Sequence, residues 1–444
     1  MNEISRVAAV GVLIALPFAV AEAVEGGSEV PTGPADAIVA TVADDHLRVL
    51  LTEVLARNPE IATHRARMAA AGHRSTAARK LPDPRAELTA FVLPPETRVG
   101  PQRAAARVTQ AIPGGGKRDA AAAAAELERQ ALEAEIEAIK LKLVTRARRL
   151  AVELGYLAEA NRVLIDELGV LAHYEELARA RYSAGSGLQM DAVRIQAEMT
   201  RLETRISGIN ERRAAVAADL NLLRDRSGVV VAVPDVEVPS IGDLDWSSLT
   251  EVALVSRPEL AASTARIDRA AAFGKLAAKE RSPDFSVGLT YAWVDTRTDV
   301  DVPDNGRDIF GISGGVTIPL WSTATDAEVA ANTEDRLARE ASHRAAVAGI
   351  RRQIEALAGR IPEIRRRLAL LEDVLPVQSA QALTSVEAAY SAGRADALEL
   401  LEAERTLLDV RLSAARGRAD LAQALIELEG AIGSSIIPAS GGAQ

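Results

Sequence analysis

Two glutamates near the carboxyl end of the chain, Glu399 and Glu402, are placed so that their carboxylates could act together. They stand three residues apart, so on a helix both side chains lie on one face. If several copies of the chain surrounded one axis, these pairs would form a ring of carboxylates, which attracts cations and raises the pKa of its members. A charged pair on a solvated helix face has the same spacing. The elements that position the pair must decide between these interpretations.

No other group of residues in the sequence is suited to catalysis or to binding a metal. The chain has no cysteine, which excludes disulfides and thiol chemistry, and its five histidines are not at metal-ligand spacings. The segment Gly114-Gly115-Gly116-Lys117-Arg118 lacks the leading glycine and the Ser or Thr of a phosphate-binding loop. A flexible joint between a strand and a helix is the better interpretation. The sequence predicts no enzyme activity, no cofactor and no metal site.

Composition and the first residues limit the partners and the compartment. The formal net charge of −10 argues against a nucleic-acid partner, because phosphate binding needs a basic surface. Residues 1–23 resemble a signal peptide, with Arg6, an apolar run and a small-x-small site at Ala21-Glu22-Ala23. The alternative is a membrane anchor, but the apolar run is shorter than the ~20 residues that span a bilayer. We therefore expect export with cleavage and, without a cysteine, no lipid attachment.

The chain repeats four landmarks in the same order, about 200 residues apart, which is far longer than a solenoid period. Tyr-Ser-Ala-Gly occurs at Tyr182 and again at Tyr390. The upstream pairs are Asn58-Pro59 with Arg257-Pro258, Pro82-Asp83 with Pro283-Asp284, and Ile112-Pro113 with Ile318-Pro319. This pattern predicts a tandem duplication. The predicted divisions are a signal peptide (1–23), a linker (24–37), a first repeat (38–228), a connector (229–248), a second repeat (249–432) and a flexible tail (433–444).

Each repeat is predicted to hold a helix, two strands, a long helix, a glycine turn and a returning helix. The expected helices are 38–80 with a break at Asn58-Pro59, 116–182, 188–226, 249–279, 325–390 and 395–430. Pro362 and Pro376 fall inside the fifth of these and should kink it. The connector 229–243 is rich in valine and proline and is β-prone.

The predicted strands carry an alternating pattern with one apolar face. Segments 85–93, 103–112, 284–294 and 308–318 show it, and the third is clearest, with Phe285, Val287, Leu289, Tyr291 and Trp293 on one face. A sheet in a globular protein would have the same alternation. However, the strands have the roughly ten-residue length of transmembrane β-strands, and no nearby helix is apolar enough to cover their apolar face. We therefore expect that face to contact lipid.

Four strands cannot close a barrel, and a sheet with open edges is not viable in hydrocarbon. Two copies would supply eight strands, whose side chains fill the interior, whereas three would supply twelve and leave room for water. The small residues on the second face suit an open lumen. The strands join the long helices at Pro113, Gly116 and Pro319, and helices on the order of 100 Å long would continue the lumen as a tunnel.

With these motifs in place, the chain resembles the outer-membrane efflux proteins of the TolC type. The residues that carry the resemblance are Leu81-Pro82-Asp83-Pro84, Gln110-Ala111-Ile112-Pro113 followed by Gly116-Lys117-Arg118, and the two Tyr-Ser-Ala-Gly turns. The Leu-Pro-Asp-Pro and Gly-Lys-Arg segments look most like the branch that serves heavy-metal cation exporters of the cobalt–zinc–cadmium type. The implied fold is mainly α with membrane β, in which long α-helical hairpins form a periplasmic tunnel and four β-strands per chain contribute to a shared twelve-stranded outer-membrane β-barrel.

The resemblance also implies a location, partners and functional residues. It implies a homotrimer in the outer membrane, with a large periplasmic portion, docked to a periplasmic adaptor (membrane fusion) protein and an inner-membrane pump of the resistance-nodulation-division type. The implied gate residues are Glu399, Glu402, Asp191 and Asp396, although the first repeat lacks the acidic pair. The implied adaptor-contact residues are Tyr182, Gly185, Gly187, Tyr390, Gly393 and Arg394. The two tyrosines could instead pack inside the tips, and a periplasmic adaptor or a coiled-coil scaffold remains the alternative to a channel.

Overall fold

Ten α-helices and five β-strands are found in the part of the chain that the structure, a computed structural model, describes: residues 33–233, 242, 244–300 and 302–436. The predicted signal peptide, residues 24–32 of the linker, residues 234–241 and 243 of the connector and residues 437–444 of the tail lie outside it. The first half contains α1 (Pro34–Ala40), α2 (Asp45–Arg57), α3 (Pro59–Ala78), β1 (Arg85–Ala90), β2 (Glu96–Thr97), β3 (Gly100–Ile112), α4 (Lys117–Ser183) and α5 (Gln189–Leu223). The second half contains α6 (Trp246–Ser256), α7 (Pro258–Lys279), β4 (Asp284–Val294), β5 (Ile309–Thr317), α8 (Thr323–Ala369), α9 (Leu375–Ser391) and α10 (Ala397–Ile432).

Several predicted boundaries were wrong for local reasons. Helix α1 occupies the end of the predicted linker, and Asp44 starts a new helix because its side chain accepts a hydrogen bond from the Leu47 amide at 3.0 Å. The predicted helix 249–279 is two helices, since Pro258 restricts Arg257 to an extended conformation between them. Residues 229–233 of the connector form no strand.

The strands form one antiparallel sheet in the order β1-β3-β4-β5, and the two-residue β2, which was not predicted, pairs with β3. Strands from the two halves meet at the centre, where β3 pairs with β4 over most of its length. The register places Phe285 beside Val316, Leu289 beside Ile312 and Tyr291 beside Phe310. Among the described strands, β1 and β5 each have one edge without a partner.

The apolar face of this sheet is exposed in the single chain. Leu289 is 48% exposed, Phe310 66% and Ile312 74%, so none of the ten described helices covers them. The opposite face carries small residues, with Gly288 beside Ser313 and Ser286 beside Gly315. The alternation predicted from the sequence is therefore present, and its apolar side faces away from the rest of the chain.

The long helix α4, of 67 residues, is the element on which both halves pack. It contacts α3 and α5 from the first half and α7 and α10 from the second. Alanines and a glycine keep the spacing close, because a Cβ on Gly430 of α10 would lie 2.7 Å from the Thr145 hydroxyl of α4. None of the helices in the described segments combines the length and the apolar character needed to cross a membrane.

The long helix of the second half is interrupted by a π-helical turn. Helix α8 continues through Pro362, and the turn at Leu370–Val374 separates it from α9, where Pro376 lies in the first turn. The buried residues of α8 recur at spacings of four and three: Ile350, Ile354, Leu357, Ile361, Ile364 and Leu368. The buried residues observed in α9 are Ser379, Leu383 and Tyr390. If the spacing of α8 continued unchanged through the turn, the buried positions would each fall one residue earlier. One extra residue in the wider turn accounts for the offset.

Candidate functional site at the tips of the helical hairpins

Glycines reverse the chain at the tip of each hairpin. Gly185 follows α4 with φ +76° and Gly393 follows α9 with φ +72°, a left-handed conformation that other residues adopt at a cost. Gly187 is needed for space instead, because a Cβ there would lie 2.9 Å from the Arg181 Cβ. These three predicted turn residues are therefore explained by backbone geometry, and Arg394 beside them is exposed.

The two hairpin tips are joined through Arg181 and Tyr390. The Arg181 Nη1 donates to the Tyr390 carbonyl oxygen at 2.5 Å, and its guanidinium lies 4.7 Å from the centre of the Tyr390 ring. Tyr390 is only 2% exposed, whereas Tyr182, its counterpart in the first half, is 50% exposed. Of the two roles open to these tyrosines, Tyr390 packs inside the tip and only Tyr182 offers its ring to a partner.

Asp191 lies inside the chain beside Tyr390. It is 8% exposed, and neither its Oδ1 nor the Tyr390 hydroxyl has a hydrogen-bond partner among the described residues. Burial and the nearby Asp191 charge both raise the pKa of Tyr390. Asp191 therefore differs from the other three acidic residues predicted for the gate, which are exposed.

Asp396 and Glu399 cap the amino end of α10. The Asp396 side chain accepts from the amides of Leu398 and Glu399 at 2.9 Å, and the Glu399 carboxylate accepts from the Asp396 amide at 3.3 Å. This reciprocal arrangement is a capping box, which explains part of the acidic pattern without any gate. Glu402 is exposed one turn further along, and Arg194 of α5 approaches Asp396 at 3.8 Å across the two tips.

A cluster of acidic residues behind the tips was missed by the sequence reasoning. Tyr174 of α4 contacts Glu387 of α9 and Glu404 of α10, and Glu167 of α4 lies close enough to Glu404 for the two carboxyl groups to interact. Glu167 and Glu404 are 2% and 4% exposed. The sequence does indicate their burial, because each glutamate lies at helical spacing between two leucines. Glu167 lies between Leu164 and Leu171, and Glu404 lies between Leu400 and Leu407.

The predicted strand–helix joint is closely packed. A Cβ on Gly114 would lie 1.9 Å from the Pro283 carbonyl oxygen, and Gly116 has φ +73° at the start of α4. The amide of Gly114 and the ammonium of Lys117 both donate to Asp284, at 2.9 and 3.0 Å. The glycines therefore provide room for a close approach of β4 next to Pro113, and the flexibility expected of this joint stays a prediction. In the second half Pro319 lies in the short segment between β5 and α8.

No group of three or more His, Asp or Glu side chains is arranged to hold a metal ion within the described ranges. The charged groups at the tips are instead engaged in caps and links between the hairpins. What this arrangement offers chemically is an exposed acidic pair at the start of α10 and a set of buried, closely spaced carboxyl groups behind it.

Comparisons with known proteins place the fold. The family model described as outer membrane efflux protein matches residues 249–434, the second half of the chain. Among solved structures, the chain is similar to the outer-membrane channel OprN, with 16% identity, a TM-score of 0.72 and coverage of 88% of this chain and 91% of that one. It is also similar to the outer membrane protein VceC of Vibrio cholerae, with 20% identity, a TM-score of 0.71 and coverage of 89% and 97%.

A third similar structure is CusC, whose study concerned folding and transmembrane channel formation, with 14% identity, a TM-score of 0.73 and coverage of 89% and 94%. No curated protein matches the chain by sequence. The fold is therefore that of outer-membrane efflux channels, and the second half carries the sequence pattern of the efflux family.

Proposed function

We propose that this chain is the outer-membrane channel of a tripartite efflux system, a passive trimeric exit duct. The observation that carries the proposal is the sheet: its apolar face is exposed and two of its edges are free, yet it is joined without a linker domain to helices of up to 67 residues. A sheet of this kind is stable in lipid only if sister copies complete it. The shared fold and the efflux-family match of the second half support the same conclusion.

Three copies are the smallest assembly that suits the two faces of the sheet. Twelve strands leave a water-filled interior, and the Gly, Ser and Thr residues opposite the apolar face would line it. In this assembly α4, α5, α8, α9 and α10 extend from the barrel as a tunnel in the periplasm, with the hairpin tips at its far end. A periplasmic adaptor would contact the tips at exposed residues such as Tyr182 and Arg394, and an inner-membrane pump would deliver the substrate.

The exposed pair Glu399 and Glu402 would form the constriction at the tips. In three copies, six carboxylates around the axis would favour cations. This electrostatic preference and the resemblance of the Leu81-Pro82-Asp83-Pro84 segment to metal exporters favour heavy-metal cations as the substrates. The duct itself performs no chemistry in this proposal, and selection of the substrate takes place in the pump.

Neutralising the pair is expected to reduce cation preference in planar bilayers. The double change Glu399→Gln/Glu402→Gln keeps the side-chain volume, and glutamine retains the capping box, so only the charge is lost. The change Glu399→Ala/Glu402→Ala also removes volume and should raise single-channel conductance. The matched control is Glu203→Gln in α5, an exposed glutamate away from the tips. Unchanged ion preference and conductance in both double variants would remove Glu399 and Glu402 from the gate.

A periplasmic adaptor is the main competing function, because adaptors also have long helical hairpins. Fractionation separates the two: we expect the protein in the outer membrane as an oligomer that dissociates only on heating. A monomeric, soluble periplasmic pool would instead identify an adaptor or a scaffold, in which the exposed sheet face binds protein rather than lipid.

A further inference from the structure

Behind the tips, four polar side chains form a row that alternates between the first hairpin (α4 and α5) and the second (α9 and α10). In order they are Glu387, Tyr174, Glu404 and Glu167. The Tyr174 hydroxyl contacts Glu387 on one side and lies 2.9 Å from Glu404 Oε1 on the other, while Glu404 also approaches Glu167. Each of the three contacts joins α4 to α9 or to α10, so all three hold one hairpin against the other.

The number of protons in this line follows from its chemistry. Each contact is a hydrogen bond only if one proton lies in it, and a tyrosine supplies a single proton while an ionised carboxylate supplies none. The single Tyr174 proton can serve only one of the two contacts of its hydroxyl, so the other contact, and any hydrogen bond between Glu404 and Glu167, needs a proton from a carboxyl group. If a proton is lost, one contact brings together two hydrogen-bond acceptors, of which at least one is negatively charged. Such a contact repels, and it lies between the two hairpins.

The neighbouring charges do not remove this requirement. Arg411 of α10 lies near Glu167 and Glu404 and acts to lower the pKa of both, but burial has the larger effect, so both pKa values stay raised. Glu198 of α5 is paired with Arg405 and, at 2.8 Å, with Arg201, and these partners lower its pKa, so it stays ionised. His173 lies beside Tyr174 on the exposed side of α4.

Burial makes the protonated form persist toward neutral pH. Burial and the neighbouring Glu404 raise the pKa of Glu167 to about 7, and burial raises the pKa of Glu404 as well. When the hairpins separate, these carboxyls regain the ordinary pKa near 4.5. The closed arrangement therefore binds more protons than the separated one between about pH 4.5 and 7, so its stability falls as the pH rises through this window.

We propose that Tyr174 and the carboxyl groups of Glu167, Glu387 and Glu404 form a pH-responsive clasp that holds the two hairpins together in acid and releases them toward neutral and alkaline pH. Because the clasp lies directly behind the tips, its release would favour an open constriction. This regulatory role rests on the proposed channel function, whereas the clasp itself does not.

Two measurements on the purified full-length protein test the clasp without any assumption about transport. At pH 6 to 7 we expect the infrared C=O stretching band of protonated carboxylic acid, and Glu167→Gln and Glu404→Gln should each reduce it. The second measurement is hydrogen exchange of the amides in α9 and the first turns of α10, corrected for intrinsic exchange. Between pH 5 and 7, the protection factor should fall about tenfold per pH unit for each proton that the clasp releases on opening. It should change little above that range.

The controls separate the clasp from general effects on folding. Glu176→Gln, an exposed glutamate on α4, should keep the band and the pH slope, whereas Glu167→Gln should flatten the slope. Tyr174→Phe should weaken protection at pH 5 because two of the three contacts are lost. The same slope in Glu167→Gln as in the unmodified protein, or no carboxylic-acid band at pH 6, would overturn the clasp. A pH-dependent slope in exchange with a pH-independent conductance would overturn its role in gating alone.

Discussion

Replacing Ile312 with arginine is expected to prevent most of the protein from inserting as a folded oligomer into lipid vesicles. Ile312 is 74% exposed near the middle of β5, on the apolar face of the sheet, and beside Leu289 of β4. An arginine at the bilayer midplane of a transmembrane β-strand costs about 2–4 kcal/mol per copy. Three copies would suffer this cost together, which is comparable to the whole stability of many domains.

The neighbouring residue provides the control. Ser313 lies on the opposite face, beside Gly288, where an arginine would project into the water-filled lumen. We expect Ser313→Arg to insert and fold normally and to shift conductance toward anions. Insertion is measured as the fraction of heat-modifiable oligomer on a gel. Equal insertion by the two variants would mean that the apolar face does not meet lipid and would sink the channel proposal.

Removing the carboxylate of Glu429 is expected to destabilise the helical body by about 3 kcal/mol, because a buried cation is left without its partner. Glu429 of α10 is paired with Arg148 of α4, and their side chains are 3% and 13% exposed. This pair lies next to a close approach of α10 to α4, at Gly430. Glu429→Ala should therefore lower the temperature at which helical circular dichroism is lost.

Further variants show which interaction is responsible. Glu429 also accepts hydrogen bonds from the Ser435 hydroxyl at 3.0 Å and the Ile436 amide at 3.1 Å, and Glu429→Gln can retain these while losing the charge. The double change Arg148→Met/Glu429→Leu removes both charges and should recover most of the stability. If the double variant were as unstable as Glu429→Ala, packing rather than charge would account for the loss.

The sequence predicted the elements whose signals are long and local. The prediction of 284–294 as a strand matches β4, because period-two alternation over eleven residues is a strong signal. The hairpin turns were placed correctly, since Gly185 and Gly393 adopt the left-handed conformation that glycine favours where the chain reverses. The two-residue β2 escaped because it depends on a partner, β3, rather than on any pattern of its own.

The site was predicted less completely, because burial depends on tertiary contacts. The sequence gives Asp191 and Glu399 the same chemistry, yet packing against Tyr390 buries the first and the capping box holds the second at the surface. Glu167 and Glu404 are about 240 residues apart, so only the docking of α10 on α4 brings their carboxyls together. The ion pairs of Lys117 with Asp284 and Glu280 were likewise not predicted, because these residues are more than 160 positions away in the sequence.

The π-helical turn between α8 and α9 changes the rotational phase of the long helix between its two ends. One surplus residue in an α-helix would rotate everything beyond it by about 100° and misalign the tip with α10. Because Leu370–Val374 absorbs that one residue locally, the end that carries Tyr390 keeps the phase in which its buried residues face α10. The turn therefore lets α8 and α9 together hold one residue more than an unbroken α-helix with the same two buried faces.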